Sequence, residues 1–227
     1  MSQELFTNYY KTNFWQGSES LSGPGSDRSQ TRFLIKELEA LLKFYQIKSI
    51  LDVPCGDWNW MRDVNLSGIT YIGGDIVEPL IAQNQDKFGS KTVQFRVIDI
   101  CKDKLPQVDL IIVRDCFIHL PLLQINKALD NIKASGSKFA LISIHPWLDL
   151  EANQEIEVGQ WRRVDLTRKP FYWAPPNRII VEANTFGEDY DKSMGLWPIW
   201  SNNDPSTVEG REALSPYLSN HRSCNMS

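Results

Sequence analysis

The feature that most constrains this chain is a rhythm. Short β-branched runs at 49–53, 70–76, 93–99, 108–114 and 138–144 alternate with segments of helical period. "TRFLIKELEALLKFY" sets Leu34, Ile35, Leu38, Leu41, Leu42 and Tyr45 on one stripe, with Ser29 or Asp27 as its N-cap. "EPLIAQNQDKF" has Pro79 near its start and Gly89 just past its end. "PLLQINKALDNIKASG" begins at Pro121, turns Leu122, Ile125, Leu129 and Ile132 inward, and stops at Gly136.

Strands that alternate with helices imply right-handed crossovers and parallel pairing. Strand-like pieces at 161–166 and 178–184 raise the count to seven. The expected fold is α/β: a Rossmann-like, doubly wound, mainly parallel seven-stranded sheet with helices on both faces. Residues 1–30 read as an irregular arm, because Gly, Pro and Ser punctuate it, that folds back over the domain, since Tyr9, Tyr10, Phe14 and Trp15 are too apolar for a free tail. Residues 31–200 form the domain. The polar tail 201–227 shows no pattern and is expected to be disordered or outside the working domain.

Composition narrows the function classes. Of 227 residues, 42% are apolar and 23% charged, as in a soluble globular protein. A net charge of −4 argues against a nucleic-acid partner, which needs a basic footprint. No apolar leader or 18-residue apolar run stands in the sequence, so neither secretion nor a membrane span is expected. Cys55, Cys101, Cys116 and Cys224 lack C-x-x-C spacing and read as reduced thiols of a cytoplasmic protein, with no zinc site.

Acids mark the strand ends: Asp52, Asp75, Asp99 and Asp115 stand at or near the ends of the first four runs. A buried carboxylate costs several kcal/mol, roughly, unless it is paired. Each acid alone reads equally well as a helix cap; four on one edge point to a ligand, and open parallel sheets bind ligands at that edge. Asp75, behind Gly73 and Gly74, stands where a carboxylate accepts from ribose hydroxyls, and Asp99 stands where one accepts from an adenine amino group. The turn "PCGDWNW" has one Gly, an acid and two Trp, in place of the G-x-G-x-x-G that a pyrophosphate needs. A P-loop is absent. An adenosine that carries cations and no phosphate, S-adenosylmethionine, fits these residues.

"ILDVPCGDW", "YIGGDI", "FRVIDI" and "DLIIVRDCFIHL" resemble the successive motifs of class I S-adenosylmethionine-dependent methyltransferases. Asp52 and Gly56 match the acid and middle Gly of D-x-G-x-G-x-G, whereas Pro54 and Trp58 replace its outer glycines. The resemblance implies a cofactor site formed by Asp52, Pro54, Cys55, Gly56, Asp57, Trp58, Gly73, Asp75, Ile76, Asp99, Ile100 and Arg114. "SGPGS", "WRRVDL" and "MGLW" extend the similarity to a bacterial subfamily over residues 8–200.

Methyl transfer to a hydroxyl needs a base beside the methyl carbon. Asp115 and His119, four residues apart, are the candidates, against a reading of Asp115 as a cap and His119 as a packed side chain. O-methyltransferases of quinone biosynthesis carry an acid just before such a His; Ile118 stands there, so no metal is expected. Trp15, His145, Trp147, Trp161 and Arg162 are candidate acceptor-binding residues, in the composition of a site that stacks on a sugar ring or flat small molecule. The partner is thus a small-molecule or glycan acceptor, and Trp15 with residues 22–26 reads as a lid. Two other readings stand beside this one: a nicotinamide-dependent oxidoreductase or epimerase, and a non-catalytic cofactor-binding module.

Overall fold

A computed structural model describes residues 2–146, 151–182 and 192–199. Its seven strands are β1 (Ser49–Asp52), β2 (Thr70–Asp75), β3 (Val93–Val97), β4 (Leu110–Val113), β5 (Phe139–Ile144), β6 (Arg178–Val181) and β7 (Ser193–Pro198). Four helices accompany them: α1 (Ser2–Thr12), α2 (Arg28–Phe44), α3 (Glu78–Phe88) and α4 (Leu122–Ala134). The strands lie in the order β3-β2-β1-β4-β5-β7-β6.

β1 to β5 pair in parallel, as their helical crossovers require. β7 runs antiparallel to both β5 and β6, so the sheet is mixed. Two apolar layers cover its faces. Leu34, Leu38 and Leu41 of α2 and Ile81 of α3 pack on Ile50, Tyr71 and Ile112. Ile125, Leu129 and Ile132 of α4 pack on Leu51, Ile111 and Ile142 of the opposite face. Every residue of β4 and β5 is buried, which is why those runs read as continuous apolar stretches. Truncating one such Ile or Leu to Ala costs roughly 2–5 kcal/mol.

Two expectations are corrected. The segment 161–166 is extended but is not a strand. Its alternation is real, with Arg162, Val164 and Leu166 buried, yet its backbone bonds run to loop residues: Arg162 N–H to Ile118 C=O, and His145 N–H to Val164 C=O. The edge of β5 that it would need is taken by β7. That strand carries a Gly at its centre, and a Cβ on Gly195 would lie 2.5 Å from the Trp197 ring. Lastly, the arm is not wholly irregular. Residues 2–12 lack Gly and Pro and form α1, which ends with Asn13 in the left-handed region (φ 47°) and a Phe14 N–H to Tyr9 C=O bond of 2.9 Å. The tail 201–227 lies outside the described residues.

Candidate functional site

Strand order reverses between β1 and β4, where the crossovers leave the sheet in opposite directions. A cleft of about 470 Å³ opens at the carboxyl ends of the strands there, within the range of small-molecule sites. Asp52 and Asp75 are the last residues of β1 and β2; Asp99 and Asp115 lie two residues beyond β3 and β4. All four line the cleft.

Asp52 is 2% exposed, and its Oδ2 accepts from the Tyr71 hydroxyl at 2.7 Å. Burial raises its carboxyl to about 7, against the opposing pull of Tyr71 and Arg114. Asp75, 6% exposed, accepts from Gly56 N–H at 3.2 Å and Val77 N–H at 3.0 Å. Burial raises it to about 6, and these backbone donors temper the rise. Asp75 therefore both closes an Asx turn just ahead of α3 and forms a wall of the cleft. Asp99 accepts from Cys101 N–H at 2.9 Å and from Lys102 Nζ at 2.7 Å. Pro54, Cys55, Ile76 and Ile100 complete this half of the lining.

The turn after β1 consumes its own amides. Cys55 N–H bonds Gly74 C=O, Gly56 N–H bonds Asp75, Asp57 N–H bonds Ser22 Oγ, and Asn59 N–H bonds Asp57 Oδ1. Residues 55–59 thus leave no cradle of free N–H groups for a pyrophosphate. Asn84 of α3 donates to Gly56 C=O at 2.8 Å and fixes the turn from below.

Four charges cross the floor. Arg114 donates to both oxygens of Glu182, at 3.1 and 2.6 Å, and its Nη1 lies 3.2 Å from Asp115 Oδ2. Lys192 Nζ donates to the same Asp115 oxygen and sits 3.6 Å from Glu182 Oε2. Burial would raise the Asp115 carboxyl, but Arg114 and Lys192 hold it well below the ordinary range. Asp115 also occupies the left-handed region, at φ 52°, which a non-glycine residue adopts at a cost of roughly 1–3 kcal/mol. Glu182 and Lys192 were not foreseen. They are 68 and 78 residues from Arg114, and no local spacing signals such a quartet.

His119 lies in a short 3₁₀ turn, Phe117–His119, and lines the cleft. Its Nδ1 is 3.0 Å from Gln160 C=O. A carbonyl only accepts, so Nδ1 carries the proton and Nε2 the lone pair. Burial lowers its pKa, against the Gln160 bond and Asp115, so the ring is neutral near pH 7. Trp15 packs on this imidazole with centroids 4.6 Å apart, and Trp161, 41% exposed, lines the same end.

Other candidates stand elsewhere. Trp58 lies behind the rim at φ 57°, packed on Tyr71, Phe88 and Phe95; the glycine-like backbone persists under a Trp side chain. Gly73 lies below the rim, where a Cβ would meet Phe95 at 2.6 Å. His145 is buried against the Val164 backbone rather than lining the cleft. Arg162 is buried too, and donates to the carbonyls of Phe117 and Leu120 at 2.7 Å, which braces the turn that carries His119. Trp147 lies outside the described residues. Asp57 does line the cleft, but its carboxylate accepts from Ser20, Leu21 and Ser22 of the arm.

No protein-family model matches the chain, and no curated protein matches its sequence. Solved structures do match in shape. The 1,6-didemethyltoxoflavin-N1-methyltransferase of Burkholderia thailandensis, bound to 1,6-didemethyltoxoflavin and S-adenosylhomocysteine, has a TM-score of 0.62 at 15% identity, over 88% of this chain and 87% of that one. The magnesium protoporphyrin IX methyltransferase of Synechocystis PCC 6803 with S-adenosylmethionine gives 0.58 at 12% identity, over 87% and 97%. Human N-acetylserotonin methyltransferase with S-adenosylmethionine gives 0.54 at 12%, over 85% and 62%. The likeness is one of fold: this chain has the seven-stranded α/β architecture of S-adenosylmethionine-dependent methyltransferases.

Proposed function

We propose that this protein is an S-adenosylmethionine-dependent methyltransferase that acts on a hydroxyl of a small, planar acceptor. One observation carries the reading. At the switch point, two buried carboxylates face a cleft beside a turn whose amides from Cys55 to Asn59 are all bonded within the chain. Such a site suits a ligand that brings hydroxyl donors and positive charge, and disfavours a dinucleotide. The residues fit the donor: Asp75 and Asp99 for its ribose and adenine, and Asp52 for its cationic end.

When bound, S-adenosylmethionine supplies a methyl carbon on a sulfonium: the acceptor oxygen bonds that carbon as the C–S pair returns to sulfur, and the hydroxyl proton goes to a base. His119 is the base. It is neutral, lines the cleft, and its tautomer leaves Nε2 to receive the proton. Asp115 is the weaker candidate, since Arg114 and Lys192 occupy its charge. Trp15 and Trp161 favour a flat acceptor through stacking.

The test is transfer of labelled methyl from S-adenosylmethionine to a panel of phenols, heteroaromatic alcohols and sugars. Label is expected in an aromatic O-methyl product, with kcat already on its plateau by pH 7 because the base is neutral there. His119→Ala should lower kcat by about 10²–10⁴-fold and leave S-adenosylhomocysteine affinity close to that of the parent. Unchanged turnover in that variant would remove His119 from the chemistry.

A further inference from the structure

We propose that Asp57 is a positioning residue: it seats the N-terminal arm as the roof of the cleft, and through the arm sets Trp15 against His119. Its place in the first motif made it a candidate cofactor ligand, but its bonds go elsewhere. Ser20 Oγ donates to both carboxylate oxygens, at 2.9 and 3.0 Å. Leu21 N–H donates at 2.8 Å and Ser22 Oγ at 3.2 Å, and Asp57 N–H returns a bond to Ser22 Oγ at 3.0 Å. Those bonds leave little of the carboxylate for a ligand.

The neighbouring residues serve the same contact. A Cβ on Gly56 would lie 2.2 Å from Ser22 Oγ, so the bare glycine makes room for the arm. Asn59 Nδ2 bonds Glu19 Oε1 at 2.9 Å and Ser26 C=O at 3.1 Å. From the β4 side, Arg114 donates to Gly25 C=O at 2.8 Å. The cramped "PCGDWN" turn is thus shaped around a second segment of its own chain. Residues 22–26 line the cleft between these anchors. The arm also folds on itself: Asn13 bonds Gly17 C=O at 3.0 Å, and Gly23, at φ 96°, runs close under Trp15. Fixing residues 20–22 therefore fixes Trp15, whose ring lies 4.6 Å from that of His119.

The anchoring stands on geometry alone; its consequence for turnover rests on the methyl-transfer reading above. Hydrogen exchange on the full chain without ligand tests the first part. In Asp57→Ala, amides of residues 17–26 should exchange at least about tenfold faster, while those of β1 and β4 keep their rates. Ser20→Ala with Ser22→Ala leaves Asp57 in place and should give the same pattern. Adding Asp57→Ala to that pair should change little more, since all three act through one contact. S-adenosylhomocysteine should leave both variants faster than the parent by a similar factor, with Asp57→Asn in between.

An arm that stays protected in Asp57→Ala, or serine variants that leave the exchange unchanged, would overturn the proposal. Should Asp57→Ala fail to fold, the serine pair decides. If S-adenosylhomocysteine does not bind the parent at all, the methyl-transfer reading fails while the exchange data still decide the anchor.

Discussion

Asp52 is the residue whose physics is least like that of an ordinary core. It ends a strand buried on both faces, and among the described residues only the Tyr71 hydroxyl meets its carboxylate directly. Its pKa is raised from 3.8 to about 7, so between pH 4 and 7 the folded chain holds a proton that the unfolded chain has released. The contribution of this proton to stability is therefore full below about pH 4 and is lost as pH rises through 7. Asp52→Asn keeps an oxygen for Tyr71 and removes that charge. It should raise stability at pH 8 by on the order of 1–3 kcal/mol, with the gain vanishing toward pH 4. Urea denaturation at pH 4.5 and pH 8 checks this; equal midpoints for parent and variant at both values would contradict it. The acids at the strand ends were legible in sequence because a carboxylate inside an apolar run is conspicuous. What each one binds was not: Asp57 stands in the same motif as Asp52, yet its partners lie 35 to 37 residues earlier in the chain.

At the scale of elements, the turn after β1 and the arm behave as one unit. Gly56 has φ 53° and the arm serine against it, whereas Gly68 has φ 73° and nothing within 4 Å of a would-be Cβ. Alanine at either position bears the left-handed backbone cost of roughly 1–2 kcal/mol; only at Gly56 does it also push Ser22 away. Gly56→Ala should therefore lower the melting temperature more than Gly68→Ala, and only Gly56→Ala should loosen the arm. Equal melting temperatures would mean that the arm does not press on the turn. The parallel core was readable because β-branched runs between well-capped helices leave few other topologies. The sixth strand was legible too, at 178–184, but the seventh was harder. "SMGLWP" has Gly at its centre and hides its pattern, while "WRRVDL" alternates like a strand and spends its backbone on loops. Which segment takes the open edge of β5 is a contest between tertiary partners that local pattern does not record.

For the whole molecule, the fold determines where a ligand sits more firmly than it determines the chemistry. The switch point between β1 and β4 follows from strand order, and the floor quartet of Arg114, Asp115, Glu182 and Lys192 joins β4, β6 and β7 beneath the cleft. Among the described residues, no helix is long and apolar enough to cross a membrane. The three described cysteines are free thiols, and burial pushes each of them up, Cys101 to about 11, so none is a ready nucleophile. On the methyl-transfer reading proposed above, the chemistry falls to His119 and to a donor held by the acidic rim.

Calorimetric titration with S-adenosylhomocysteine and with NADH, on the parent and on Asp75→Ala, tests that claim most directly. The account predicts saturable binding of S-adenosylhomocysteine, a loss of at least about tenfold in affinity in Asp75→Ala, and no heat with NADH. Binding of NADH, or S-adenosylhomocysteine affinity that is indifferent to Asp75, would contradict it.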